Sequence, residues 1–154
     1  MTLQYNSPIG TIKIEYSEKG ISGLRFLDEA EGEELSADFH NSPFTTQIDE
    51  YFNGNRKIFD LPLDLQGTDF QKRVWAELMK IPFGKTISYK ELALKLGNIK
   101  AIRAVAAANG ANPVSIIVPC HRVIGSDGSL TGYAWGLWRK KWLLEHESSQ
   151  PYLL

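Results

Sequence analysis

The chain contains a single cysteine among 154 residues, so it has no internal disulfide and nothing argues for an oxidising compartment. No apolar run is long enough to span a bilayer, and no basic-then-apolar leader with a small-residue cleavage site is apparent. A cytoplasmic protein with no membrane partner is the expectation. Repeats and low-complexity tracts are also lacking, which leaves an ordinary globular chain long enough for one good core or two small ones. One cysteine and three scattered histidines make no ligand cluster, so neither metal nor cofactor is expected.

A strong excess of either charge is missing too, since the net charge is −1. That total conceals an asymmetry. Residues 1–67 carry 5 Lys and Arg against 12 Asp and Glu, whereas residues 68–154 carry 12 against 6. A basic C-terminal half fits a polyanion-binding face confined to one part of the molecule. It fits equally well two solvated surfaces that merely differ.

The acidic half reads mainly as strands. Ile12, Ile14 and Tyr16 alternate in TIKIEY, SEKG is a turn, and ISGLRFL offers a partner strand. The acidic stretch from Asp28 to Ser42 is expected to be loop. FTTQIDEYF is expected to be helical and to stop at Asn53-Gly54. FDLPLDL alternates Phe59, Leu61, Leu63 and Leu65, which predicts a further strand, with Pro62 favouring an edge position. No catalytic constellation stands out here, so the half reads as scaffold.

From Thr68 the periodicity becomes helical. Phe70, Val74, Trp75, Leu78 and Ile81 recur at three- and four-residue spacings before Pro82. SYKELALKLG opens with the capping-box pair Ser88 and Glu91 and closes at Gly97. After NIK comes AIRAVAAANG, ending at Asn109-Gly110, so the two helices form a helix-turn-helix pattern. The second helix offers Arg103 and Asn109 but no row of base-reading side chains. Its small residues, Ala101, Ala104, Ala106, Ala107 and Ala108, suit tight helix packing or close approach to a nucleic-acid groove. A last helix, GLWRKKWLLEHE, is expected to pack through Leu137, Trp138, Trp142 and Leu143 or Leu144.

The lone cysteine lies in IVPCHRVIG. A thiol attacks poorly until it becomes thiolate, and an adjacent imidazole promotes that change. Cys120, His121 and Glu147 would supply nucleophile, base and orienting group. The residues alone leave packing and reactivity both open, because a solitary cysteine is often only a small buried hydrophobe.

PCHRVIG followed by GYAWGLWRKKWLLEHE resembles the active-site segment of the O6-alkylguanine-DNA alkyltransferases, the methylated-DNA–protein-cysteine methyltransferases. The upstream run from Phe70 to Val123 keeps that family's order without an obvious gap. The resemblance covers residues 68–147 closely and the N-terminal part loosely. It implies a single-turnover enzyme that repairs DNA by direct reversal, moving the alkyl group of O6-alkylguanine, chiefly methyl, irreversibly onto Cys120. O4-alkylthymine is a second candidate lesion. His121 would take the thiol proton through a bound water while Glu147 orients it. Tyr89 would donate toward guanine N3, and Arg103 would fill the stack after the base is flipped out. Ala104 and Asn109 would lie with Arg103 and Tyr89 on the DNA face, and Asn112 would brace the turn before the active site. Asn112, Val123, Tyr133, Ala134 and Trp135 would build the substrate pocket.

Two departures accompany the resemblance. Ala134 stands where several members have serine, and Trp135 where several have glycine. A tryptophan there is expected to narrow the pocket and to favour methyl over benzyl-type lesions. The implied partner is double-stranded DNA containing O6-alkylguanine, met by a monomer. The implied fold is α+β: a small antiparallel sheet with a helix over residues 1–67, ribonuclease H-like, and a mostly helical domain over 68–154 with the helix-turn-helix. A non-catalytic helix-turn-helix regulator or lesion binder, and a cysteine hydrolase, are the competing readings.

Overall fold

The computed structural model describes residues 1–27 and 42–148. They belong to two compact units, Met1–Gln66 and Gly67–Leu154. The acidic stretch expected to be loop lies outside the described residues, apart from Ser42.

The first unit is built on an antiparallel meander of β1 (Thr2–Ser7), β2 (Gly10–Ser17) and β3 (Gly20–Phe26). Alternation sorts its two faces: Leu3, Tyr5, Ile12, Ile14, Leu24 and Phe26 are buried, as a half-buried sheet requires. Ile12 faces Tyr5 on one side and Phe26 on the other. Helix α1 (Pro43–Phe52) starts at Ser42, whose hydroxyl accepts from the Phe44 N–H, and places Pro43 in the first turn where a missing N–H costs nothing. It buries Ile48, Tyr51 and Phe52. Phe52 stacks on Tyr5, and the Tyr5 hydroxyl donates to Asp49 Oδ1 at 2.8 Å.

The strand expected over 59–65 does not form. Only Leu63 pairs, as a single parallel bridge to Ile21, with Ile21 N–H donating to Pro62 O and Asp64 N–H to Ile21 O. Pro62 has no N–H to donate, so a ladder cannot run through it. The bridge also explains Gly20, which has φ +144°. A Cβ there would sit 2.4 Å from the Pro62 carbonyl oxygen.

In the second unit α2 (Asp69–Leu78) opens with a capping box between Thr68 and Gln71. Its buried face is Val74, Trp75 and Leu78, and the Trp75 indole donates to Ala108 O at 2.9 Å. The two-residue strand β4 (Ile87–Ser88) leads into α3 (Tyr89–Lys95), capped by Ser88 and Glu91 as the sequence predicts. Gly97, at φ +89°, and a 3-10 turn over Ile99–Ala101 then connect to α4 (Ile102–Gly110). Strand β5 (Val123–Ile124) pairs in parallel with β4, Ile87 opposite Val123 and Ser88 opposite Ile124. That short ladder sets the start of α3 beside the segment that carries the cysteine.

Helix α5 (Leu137–Ser148) differs from expectation. Leu137 and Trp138 are exposed, at 36% and 52%, and the Arg139 guanidinium lies over the Trp138 ring. The Trp142 ring stacks on His146 and is only half-buried. The buried stripe is Lys140, Leu143, Leu144 and Glu147, a helical spacing that takes two charged residues inside. Among the described residues no helix is long and apolar enough to cross a membrane.

Gly20→Ala is expected to destabilise the first unit by about 1–3 kcal/mol, through the unfavourable backbone and the clash with Pro62. Urea unfolding followed by a probe in that unit checks it; an unchanged midpoint would contradict this account of the Pro62 contact.

Candidate active site

The segment after α4 is wound tightly by side-chain-to-backbone bonds. The Asn112 amide donates to Val118 O at 2.7 Å, while its Oδ1 accepts from the Val114 N–H at 3.0 Å. Asn112 is therefore a buried brace. Ile116, fully buried, sits at φ 73°, a left-handed conformation that a β-branched residue adopts at a cost of about 1–3 kcal/mol. Local hydrogen bonds from Ile117 N–H to Ser115 O and from Val118 N–H to Val114 O hold the kink. Nothing in the sequence reading signalled it. The kink delivers Pro119 and then a 3-10 turn over Cys120–Arg122.

Cys120 is 6% exposed. Burial pushes its thiol above the ordinary value, opposed by the Asn112 side chain and the positive charge of Lys140. At rest the sulfur is therefore a neutral thiol, and attack requires a base.

His121 is fully buried, with Nε2 at 2.8 Å from Glu147 Oε2. The same carboxylate is gripped by Arg122, Nε to Oε1 at 2.8 Å and Nη2 to Oε2 at 3.1 Å, while Arg122 Nη1 donates to Ile81 O at 2.6 Å. Burial alone would push the Glu147 carboxyl up, but His121 and Arg122 overturn that and hold it far below the usual carboxylate range. An ionised Glu147 is acceptor only, so the His121 nitrogen facing it must carry the proton. Nδ1 is the ring nitrogen turned away from Glu147. It is buried and has no hydrogen-bond partner among the described residues. The site thus holds a buried imidazole, bonded to Glu147 through Nε2 and without a partner at Nδ1 among the described residues, next in sequence to the thiol. Arg122 belongs to the PCHR motif, but nothing in the motif signals its grip on Glu147.

A cleft of about 480 Å³ opens beside this centre, lined in part by Tyr89, Ala106, Asn109, Gly132, Tyr133 and Ala134, within the size range of small-ligand sites. Tyr89 begins α3, and its hydroxyl donates to Thr131 O at 2.9 Å. Burial raises both Tyr89 and Tyr133 above the ordinary phenol value, so both stay neutral.

Several residues stand elsewhere than expected. Asn109 is 3% exposed and does not stand with Arg103 on the outer face of α4; its amide donates to Cys120 O at 3.3 Å and it walls the cleft. The reason lies in the helix turn: position 109 follows Val105 by four and faces the core with it. Arg103, Ala104, Ala107 and Gly110 make the exposed face. Trp135 does not line the cleft. Its indole donates to Ser115 Oγ at 2.9 Å, so the narrowing expected from its bulk is not seen, and the argument against benzyl-type lesions lapses. Val123 and Asn112 are likewise outside the lining; the Val123 carbonyl accepts from Lys140 Nζ at 2.6 Å.

The family model for the 6-O-methylguanine DNA methyltransferase DNA binding domain matches residues 69–149, and that for the ribonuclease-like domain of the same proteins matches residues 3–65. The chain belongs to the 6-O-methylguanine DNA methyltransferase family. A methylated-DNA–protein-cysteine methyltransferase of Methanosarcina barkeri is 49% identical over 148 residues, covering 93% of this chain and 94% of that protein. The crystal structure of a Mycobacterium tuberculosis O6-methylguanine methyltransferase superposes with a TM-score of 0.85 at 45% identity, over 96% of this chain and 92% of that one. The Mycobacterium tuberculosis OGT crystallised in complex with DNA gives 0.86 at 46% identity, with the same coverage. Both halves of the implied α+β fold are thereby accounted for.

Arg122→Met is expected to destabilise the second unit by about 3–5 kcal/mol, the usual consequence of leaving half of a buried ion pair behind. Denaturant unfolding of native and variant protein measures it. A loss below about 1 kcal/mol, typical of an exposed pair, would show that Glu147 does not depend on Arg122.

Proposed function

We propose that this chain repairs alkylated DNA by moving the alkyl group of O6-alkylguanine onto Cys120, once per molecule. The observation that carries the reading is the buried Cys120–His121–Glu147 array, in which the thiol is next in sequence to an imidazole that is bonded to Glu147 through Nε2 and has no partner at Nδ1 among the described residues.

The chemistry follows from the groups present. His121 Nδ1 takes the thiol proton, directly or through one water, and Glu147 with Arg122 stabilises the imidazolium without accepting the proton itself. The thiolate then displaces guanine from the alkyl carbon: the sulfur–carbon bond forms as the carbon–O6 bond breaks, and the electron pair leaves on the base. Tyr89 donates toward guanine N3 and so eases that departure. The proton lost by the thiol balances the proton the guanine finally gains. A thioether is a poor leaving group and there is no second cysteine, so the protein is not regenerated.

Access to the carbon requires the nucleotide to leave the stack, at a cost of a few kcal/mol. The exposed face of α4 suits that task. Its side chains beyond Arg103 are no larger than a methyl group at Ala104 and Ala107, which permits close contact with a minor groove while Arg103 occupies the vacated space. Few base-reading groups are needed, because a lesion occurs in any sequence. The basic second half supplies phosphate contacts. In this reading the protein acts as a monomer on double-stranded DNA, and O4-alkylthymine is a second candidate lesion.

Incubation with excess DNA bearing a labelled methyl on guanine O6 tests the reading. Uptake should stop at one methyl per protein and be absent from Cys120→Ser. No uptake by the native chain would favour a lesion-binding or regulatory protein. Continued turnover would indicate a hydrolase.

A further inference from the structure

Lys140 is a fully buried lysine that the reaction above does not use. It projects from α5 one heptad before Glu147, on the same buried stripe. Its ammonium donates to three carbonyls: Val123 O at 2.6 Å, Thr131 O at 2.8 Å and Gly132 O at 3.3 Å. All three of its N–H groups are thus committed. It also lies 5.6 Å from the centroid of the Tyr89 ring. Lys140 therefore ties the cleft loop to the strand that follows Cys120.

The informative detail is a shared acceptor. The Thr131 carbonyl receives both Lys140 Nζ and the Tyr89 hydroxyl, the latter at 2.9 Å, and the Tyr89 hydroxyl is also 3.5 Å from Gly132 O. In the resting chain the Tyr89 proton is accordingly parked on the loop. To donate to a base in the cleft, Tyr89 must let go of Thr131. Without Lys140 that release would cut a principal tie of the loop, because Tyr89 and Lys140 are the two side chains that donate to Thr131 and Gly132 among the described residues.

We propose that Lys140 is a positioning residue for alkyl transfer: it holds the Thr131–Gly132 loop against β5 so that the Tyr89 hydroxyl is released to the lesion base. This rests on the alkyl-transfer reading above. Burial lowers the Lys140 ammonium to about 8, so the protonated, three-donor form predominates at neutral pH. A purely structural lysine would support the fold equally whether or not Tyr89 carries a hydroxyl. A positioning lysine makes the benefit of that hydroxyl depend on itself.

A double-mutant cycle separates the two. Single-turnover methyl transfer from DNA containing O6-methylguanine is timed at saturating DNA for the native protein, Tyr89→Phe, Lys140→Met and the double variant. In the native background Tyr89→Phe is expected to slow transfer about 10²-fold, the lower end for a positioned proton donor. In the Lys140→Met background the same change should cost less than about threefold, the two sites being strongly coupled. The cycle is repeated with Lys140→Arg, which keeps the charge in case the apolar variant fails to fold but cannot converge three N–H groups on one point. The same shrinkage is expected. Multiplicative, independent losses in either background would overturn the proposal while leaving alkyl transfer intact. A native protein that takes up no methyl would overturn both.

Discussion

The buried carboxylate of Glu147 is the interaction on which the second unit depends. It lies against two partners at once, His121 and Arg122, consecutive residues of one 3-10 turn. A buried carboxylate without partners would be protonated or expelled. Here two cationic or donor groups from a single turn keep it ionised, and that charge requires the facing imidazole nitrogen to carry a proton. Arg122 extends the network to Ile81 O, so the loop after α2, the cysteine turn and the last helix are locked by one group. Fold and chemistry share the same hydrogen bonds.

The second constraint is backbone geometry around the sulfur. Ile116 in a left-handed conformation, the Asn112 brace and the β4–β5 ladder each fix part of the path. The strain at Ile116 is tolerable because its neighbours are buried and two local backbone hydrogen bonds span the kink. The path ends with the thiol enclosed, where burial favours its neutral form. A protected thiol resists adventitious oxidation.

Much of this was legible in the sequence, for identifiable reasons. Alternation at Ile12 and Ile14, the capping box at Ser88 and Glu91, and the PCHR motif are local signals, and local signals survive folding. The strand expected over 59–65 failed because Pro62 interrupts hydrogen bonding that side-chain alternation cannot register. Asn109 and Trp135 were placed by analogy on surfaces that their own hydrogen bonds, to Cys120 O and Ser115 Oγ, draw them away from. Arg122 and Lys140 were passed over because charged residues are normally read as solvated. The spacing of Lys140, Leu143, Leu144 and Glu147 did place both charges on the buried stripe, but exposed Trp138 and half-buried Trp142 drew the helix face the other way. What sequence cannot supply is the shared acceptor, since Thr131, Tyr89 and Lys140 meet only in three dimensions.

The central claim is that an ionised Glu147 fixes His121 as the tautomer protonated on Nε2, leaving Nδ1 to receive the thiol proton. Nitrogen-15 NMR of the histidine side chains in the unalkylated protein at neutral pH tests it most directly. The account predicts that His121 shows a protonated Nε2 and an unprotonated Nδ1, and that Glu147→Gln disturbs this pattern. A His121 protonated on Nδ1 in the native protein would contradict it.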